Sequence, residues 1–115
     1  RGRGVSACAT CDGFFYRGQR VVVVGGGNTA VEETLYLANL ASHVTLVHRR
    51  DRLRAEKMLQ DRLLARTAPG GNVSIRWHRE IAEVIGNDAG VTGVRLAATD
   101  GSGASELVEA TGLFV

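Results

Sequence analysis

A chain of 115 residues, 44% hydrophobic and 23% charged, has the length and composition of one small globular domain with its own core. Its net charge of +2 is too slight to drive binding to nucleic acid or to an anionic membrane surface. No apolar run approaches the roughly 20 residues that span a bilayer, and no signal-peptide pattern opens the chain, so a soluble, cytoplasmic protein is expected.

Residues 1–19 show little periodicity and form a leading segment. They carry Cys8-Ala9-Thr10-Cys11-Asp12-Gly13, then the aromatic run Phe14-Phe15-Tyr16. The chain's two cysteines are too few for a secreted disulfide framework. The C-x-x-C spacing suits a disulfide that opens and closes, and Asp12 beside it offers a general acid for a leaving thiolate. A zinc half-site and an inert pair are the competing readings. Zinc needs two more ligands, and His43, His48 and His78 show no paired ligand spacing, so no metal site is expected.

Val21–Val24 reads as a strand apolar on both faces, as in the middle of a parallel sheet. It runs into Gly25-x-Gly27-x-x-Ala30, one form of the dinucleotide fingerprint. Gly25 permits a tight turn, Gly27 lets a pyrophosphate approach the backbone, and Ala30 lets the helix pack close to the strand. The first helical N–H groups then face the anion. Glycine-rich turns also simply end strands, so the motif by itself is weak. A helical pattern follows over 28–41, with Ala30, Val31, Leu35, Ala38 and Ala41 at three- and four-residue steps.

Val44–Val47 is the second strand of a βαβ unit whose crossover should be right-handed. Where an NAD site places an acidic residue, this chain has His48-Arg49-Arg50, with Arg54 a turn further on. A carboxylate there would repel a 2′-phosphate, whereas guanidinium forks match its oxygens, so the sequence points to NADPH over NADH. A solvated basic face is the alternative, but cations at a helix start are disfavoured without an anion nearby.

A second helix is predicted over 55–66, with Met58, Leu59 and Leu63 facing the core, ended by Pro69-Gly70-Gly71-Asn72. Val73–Trp77 is a third strand. Runs at 82–85, 91–96 and 106–109, split by glycine-rich turns, read as an antiparallel meander. Leu113–Val115 has the buried character of a strand returning to the parallel sheet. The expected fold is therefore α/β: a Rossmann-like βαβαβ parallel sheet with a three-stranded antiparallel meander, of the FAD/NAD(P)-binding type.

Cys8-Ala9-Thr10-Cys11-Asp12-Gly13, Gly25-Gly26-Gly27-Asn28-Thr29-Ala30-Val31-Glu32-Glu33 and His48-Arg49-Arg50-Asp51, with Arg54-Ala55-Glu56, resemble bacterial low-molecular-weight thioredoxin reductase in order and spacing. Residues 91–96 and 112–115 are similar to that family too. The resemblance implies an NADPH-binding domain, residues 20–115, set within a larger FAD-binding domain of a homodimeric cytosolic flavoenzyme. NADPH would reduce FAD, FAD the cysteine pair, and the pair thioredoxin. Cys11 would face the flavin, Cys8 would attack the thioredoxin disulfide, and Asp12 would be the acid. Asn28 belongs to the cofactor-binding motif, and Thr29 would lie at the pyrophosphate. Glu32 would lie near the nicotinamide, and His48, Arg49, Arg50 and Arg54 would hold the 2′-phosphate. The family swings this domain against its FAD domain, so that cysteines and nicotinamide take turns at the flavin.

The chain opens without an initiator methionine and stops on an apolar run, which reads as a piece of a longer enzyme. No second fingerprint is present for FAD, so these residues alone are expected to bind NADPH without turning over thioredoxin. The equivalent domain of a flavin disulfide reductase serving a peroxidase, and a non-catalytic NADP-binding module, are the other readings.

Overall fold

The computed structural model describes residues 4–115, and the first three residues of the leading segment lie outside it. Five short strands build one parallel sheet: β1 (Val5–Ser6), β2 (Arg20–Val24), β3 (His43–Val47), β4 (Val73–Arg76) and, last in the chain, β8 (Gly112–Phe114). Their order is β1-β8-β2-β3-β4. The central registers pair Val21 with Val44 and Gly112, and Val44 with Val73. Helices α2 (Asn28–Ala38) and α3 (Lys57–Ala65) are the crossovers. Strands β5 (Arg79–Asn87), β6 (Gly90–Ala98) and β7 (Ser105–Glu109) form a separate antiparallel sheet.

The period of two along β2 divides the core. Val21 and Val23 join Val31, Leu37, Leu46, Leu63 and Phe114 on the helix face, while Val22 joins Val47, Val94, Leu96 and Leu113 under the meander. A sheet covered on both faces must be apolar on both, which is why β2 reads as an unbroken valine run. Phe114 is fully buried and meets Tyr16 edge-on at 5.5 Å between ring centroids. Phe114→Ala is expected to cost about 3–5 kcal/mol of stability. Urea unfolding measures it, and a loss under about 1 kcal/mol would contradict the central place given to this ring.

Several expectations need correction. The first long helix ends at Ala38 rather than at residue 41, with Asn39 as its C-cap. The next carbonyl, of Leu40, accepts from Gly18 N–H at 2.8 Å, so the chain there serves the turn before β2. Met58 does not face the core; it is 65% exposed, while Leu63 is buried and Leu59 half-buried. Leu59 and Leu63 are four residues apart on one face, and Met58 lies about 100° round from Leu59. The third strand stops at Arg76, and His78 takes a left-handed conformation (φ 54) that turns the chain into β5. The meander strands are longer than the apolar runs that announced them, because their outward residues are polar or charged.

The leading segment is also more ordered than its composition suggested. It contains β1, the one-turn helix α1 (Ala9–Asp12) and a 3-10 turn over Gly13–Tyr16. Strand β1 pairs with β8 through Val5–Leu113 and Ser6–Phe114, which ties the cysteine segment to the parallel sheet.

Candidate functional site: a disulfide and a glycine-lined cleft

Cys8 and Cys11 are joined as a disulfide around α1. Cys8 is the N-cap of that helix, and its sulfur accepts a hydrogen bond from Cys11 N–H at 3.2 Å. Asp12 ends the same turn. The Ser6 hydroxyl donates to Asp12 Oδ2 at 2.6 Å and accepts from Cys8 N–H at 3.0 Å. Ser6 is buried at the end of β1, so strand, disulfide and carboxyl form one unit. Sequence reasoning passed over Ser6, because a lone serine two residues before a cysteine carries no signal.

The glycine turn lies at the C-terminal edge of β2, where open parallel sheets bind ligands. Gly25 has φ +137, and a Cβ on it would come within 2.8 Å of the Ala30 methyl. Both facts require glycine there and let α2 start close to the strand. Gly27 is the N-cap of α2 and offers no side chain to cap it. A Cβ on Gly27 would stand 3.8 Å from Arg54 Nη2, so the small residue leaves the approach beside Arg54 open. Gly25, Gly27, Asn28, Thr29, Ala30 and Arg54 line a cleft of about 510 Å³ at the helix start. Its shape, its small residues and the positive end of the α2 dipole fit a dinucleotide pyrophosphate.

The basic loop is stitched to this turn through backbone groups. Arg54 and Ala55 N–H both donate to the Gly26 carbonyl, at 2.7 and 3.1 Å. Glu56 N–H donates to Asn28 Oδ1 at 2.8 Å, so the Asn28 side chain fastens the start of α3. A smaller cavity of about 180 Å³ sits on the other side of the turn, lined by Gly26, His48, Arg49, Arg54 and Arg79 among others. Arg54 borders both spaces. Arg49, Arg50 and Arg54 are exposed.

His48 stands apart from the three arginines. Its ring is buried beneath Gly26, where any Cβ would collide with it, and lies edge-on to Trp77 at 6.3 Å. Its Nε2 donates to the Arg52 carbonyl at 2.8 Å. Burial and the Arg54, Arg50 and Arg49 charges push its pKa below the usual histidine value, against the pull of the Arg52 carbonyl. The wedged imidazole packs inside the loop that carries the arginines. Glu32 is exposed on α2, and its neighbour Glu33 is the one that lines the cleft. Glu33 Oε2 also accepts from Ala9 N–H at 3.4 Å, linking α2 to α1.

His43, on β3, is also held below its usual pKa, by burial and then by the Arg20 and Arg76 charges. For both histidines the unfolded chain binds more protons than the folded one between the two pKa values. Their contribution to stability is present above about pH 6.5 and is lost as pH falls through the folded values. His43→Gln, which can still meet Ser74 Oγ as His43 Nε2 does at 2.8 Å, is expected to lose less stability than the parent between pH 7 and about 5. Urea titrations at both pH values check this, and equal losses would contradict the assignment. Among the described residues, no group of three or more His, Cys, Asp or Glu could hold a metal. No helix among them is long and apolar enough to cross a membrane.

A cysteine pair tied to a parallel sheet, with a glycine-lined cleft at the start of α2, narrows the class of protein, and comparison with known sequences identifies it. The family model for pyridine nucleotide-disulphide oxidoreductases matches residues 20–103, and the chain belongs to that family. Within it, the chain is similar to thioredoxin reductases. It is 60% identical over 115 residues to the thioredoxin reductase of Vibrio cholerae, covering all of this chain and 36% of that protein. A crystal structure of thioredoxin reductase from Streptococcus pyogenes superposes with a TM-score of 0.90 at 46% identity, over 97% of this chain and 35% of that one. A relative from Pseudomonas fluorescens, 62% identical over 101 residues, covering 88% of this chain and 31% of that protein, is named glucosaminate ammonia-lyase. The chain thus spans about a third of the length of the relatives it matches.

Proposed function

We propose that the chain is the NADPH-binding and redox-disulfide domain of a thioredoxin reductase, in which electrons pass from NADPH through FAD to Cys8–Cys11 and then to thioredoxin. The observation that carries this reading is the union of a closed C-x-x-C pair with a dinucleotide cleft whose second-strand loop is basic. NADPH, held by the residues of the glycine turn and the basic loop, would supply the reducing equivalents, and FAD would supply the two-electron chemistry that opens the Cys8–Cys11 disulfide.

The chain's own residues then have separable tasks. The N–H groups at the start of α2 receive the pyrophosphate, and Thr29 adds a hydroxyl there. Arg49, Arg50 and Arg54 take the 2′-phosphate with charge-assisted hydrogen bonds. His48, which lines the same small cavity, packs under the glycine turn and would complete the basic end of the site. Glu33 stands in the cleft wall, and Glu32, one residue away and exposed on the same helix, would lie near the nicotinamide.

Reduction of the pair takes two electrons and two protons and leaves two thiols. Cys8 passes its proton to Asp12 and attacks a disulfide sulfur of thioredoxin as the thiolate, forming a mixed disulfide and expelling a thiolate that takes that proton back from Asp12. Cys11 then attacks the Cys8 sulfur, which reforms the intramolecular bond and releases the second thioredoxin sulfur. Ser6 keeps the Asp12 carboxyl beside the pair throughout. The reading includes a homodimer and a cytoplasmic setting, as in the family.

NADPH-dependent thiol release from a disulfide reagent, measured on the full-length protein, tests the proposal. Release that requires added thioredoxin is expected. Release that requires a peroxidase partner instead, or ammonia formation from glucosaminate without thiol release, would overturn it.

A further inference from the structure

The meander has no part in the dinucleotide motif, yet it reaches the basic loop. The Thr99 hydroxyl, just past the end of β6, donates to the Arg49 carbonyl at 2.6 Å, fifty residues away in sequence. Thr99 N–H donates to the His78 carbonyl at 2.9 Å, and His78 N–H donates to the Arg50 carbonyl at 3.2 Å. Arg79 N–H bonds the His48 carbonyl at 3.1 Å. Three successive carbonyls, of His48, Arg49 and Arg50, are thus held from the meander side. The Arg79 side chain locks the same corner: Nη1 donates to the Trp77 and His78 carbonyls at 3.3 and 2.9 Å, and Nε lies 3.6 Å from Glu106 Oε1 on β7.

A loop of three arginines around one anion site repels itself, and exposed side chains lose entropy when they converge. Fixing the backbone reduces what must be ordered when the phosphate arrives. We propose that Thr99 is a positioning residue for cofactor choice, its hydroxyl holding the Arg49 backbone so that the arginines meet the 2′-phosphate of NADPH. This rests on the reading of residues 49–54 as the 2′-phosphate loop. It adds that discrimination between NADPH and NADH depends on a residue of the antiparallel sheet that does not touch the cofactor.

The test uses the full-length protein. Thr99→Val keeps the branched shape and loses the O–H donor, whereas Thr99→Ser keeps the donor. Thr99→Val is expected to raise the KM for NADPH by about fivefold to tenfold, the worth of one neutral hydrogen bond, with kcat and the KM for NADH held. The inhibition constant of 2′,5′-ADP should rise with it and that of 5′-AMP should not, while Thr99→Ser stays at the parent values. An unchanged NADPH KM in Thr99→Val, or equal rises for NADPH and NADH, would overturn the positioning role. The Arg49→Ala, Arg54→Ala double variant, run alongside, separates the two levels. If it binds NADPH as the parent does, the phosphate-loop reading itself fails, and the Thr99 proposal with it.

Discussion

Cys8→Ser and Cys11→Ser are each expected to lower NADPH-driven thioredoxin reduction by about four powers of ten or more. Neither serine can accept the electron pair, and no other cysteine is present in these 115 residues to replace the lost sulfur. The loss should fall on turnover, because neither sulfur lines the glycine cleft and NADPH binding has no need of them. Steady-state kinetics with saturating thioredoxin measures the loss, and calorimetric titration of NADPH measures what is retained. The two variants should differ in one respect. Cys11→Ser keeps the Cys8 thiol and can be trapped with thioredoxin as a mixed disulfide, whereas Cys8→Ser cannot. An active Cys8→Ser enzyme would remove the pair from the mechanism.

The second large effect belongs to the basic loop. Charge-assisted hydrogen bonds are worth about 1.5–3 kcal/mol each, so Arg49→Ala with Arg54→Ala should weaken NADPH binding by about two to four powers of ten. NADH binding should be spared, because it has no 2′-phosphate. Arg54 borders both the glycine cleft and the smaller basic cavity, and Arg49 lines the latter, so both residues border one cavity. Arg54 also bonds the Gly26 carbonyl through its own N–H, which the substitution leaves in place. The loss is therefore a side-chain effect, and unfolding of the loop is not expected. Equal losses for NADPH and NADH in calorimetric titrations would sink the phosphate assignment.

The parts of this architecture legible in the sequence are those that obey a local rule. An unbroken valine run followed by Gly25, Gly27 and Ala30 announces a buried parallel strand and a close-packed helix, and both are present. The order βαβαβ, meander, β was readable from periods of two and of three or four, together with glycine punctuation. The failures have physical causes. Strand β1 is two residues long and α1 four, too short for any period to show, and their stability comes from β8 and from Cys8 as a cap. Met58 was misplaced because an apolar residue near a helix start can fall on either face until the first helical residue is known.

The residue types of the site were legible, and the tertiary contacts that position them were not. His48 looked like one more cation in a basic cluster. Its burial under Gly26 and against Trp77 is a long-range contact with no trace in the local pattern. Asn28 lines the glycine cleft, and its side chain also fastens the start of α3, a contact with no local signal. Ser6, Glu33 and Thr99 acquire their positions through hydrogen bonds to Asp12, Ala9 and Arg49, which only the tertiary fold brings together.

The most direct test of the central claim is a thiol count. The full-length protein, held without oxygen, is given NADPH alone, quenched under denaturing conditions and titrated with a thiol reagent. The proposed relay predicts two new thiols per chain in the parent protein and none from the pair in a Cys8→Ser, Cys11→Ser variant. A disulfide that stays closed under excess NADPH would contradict it.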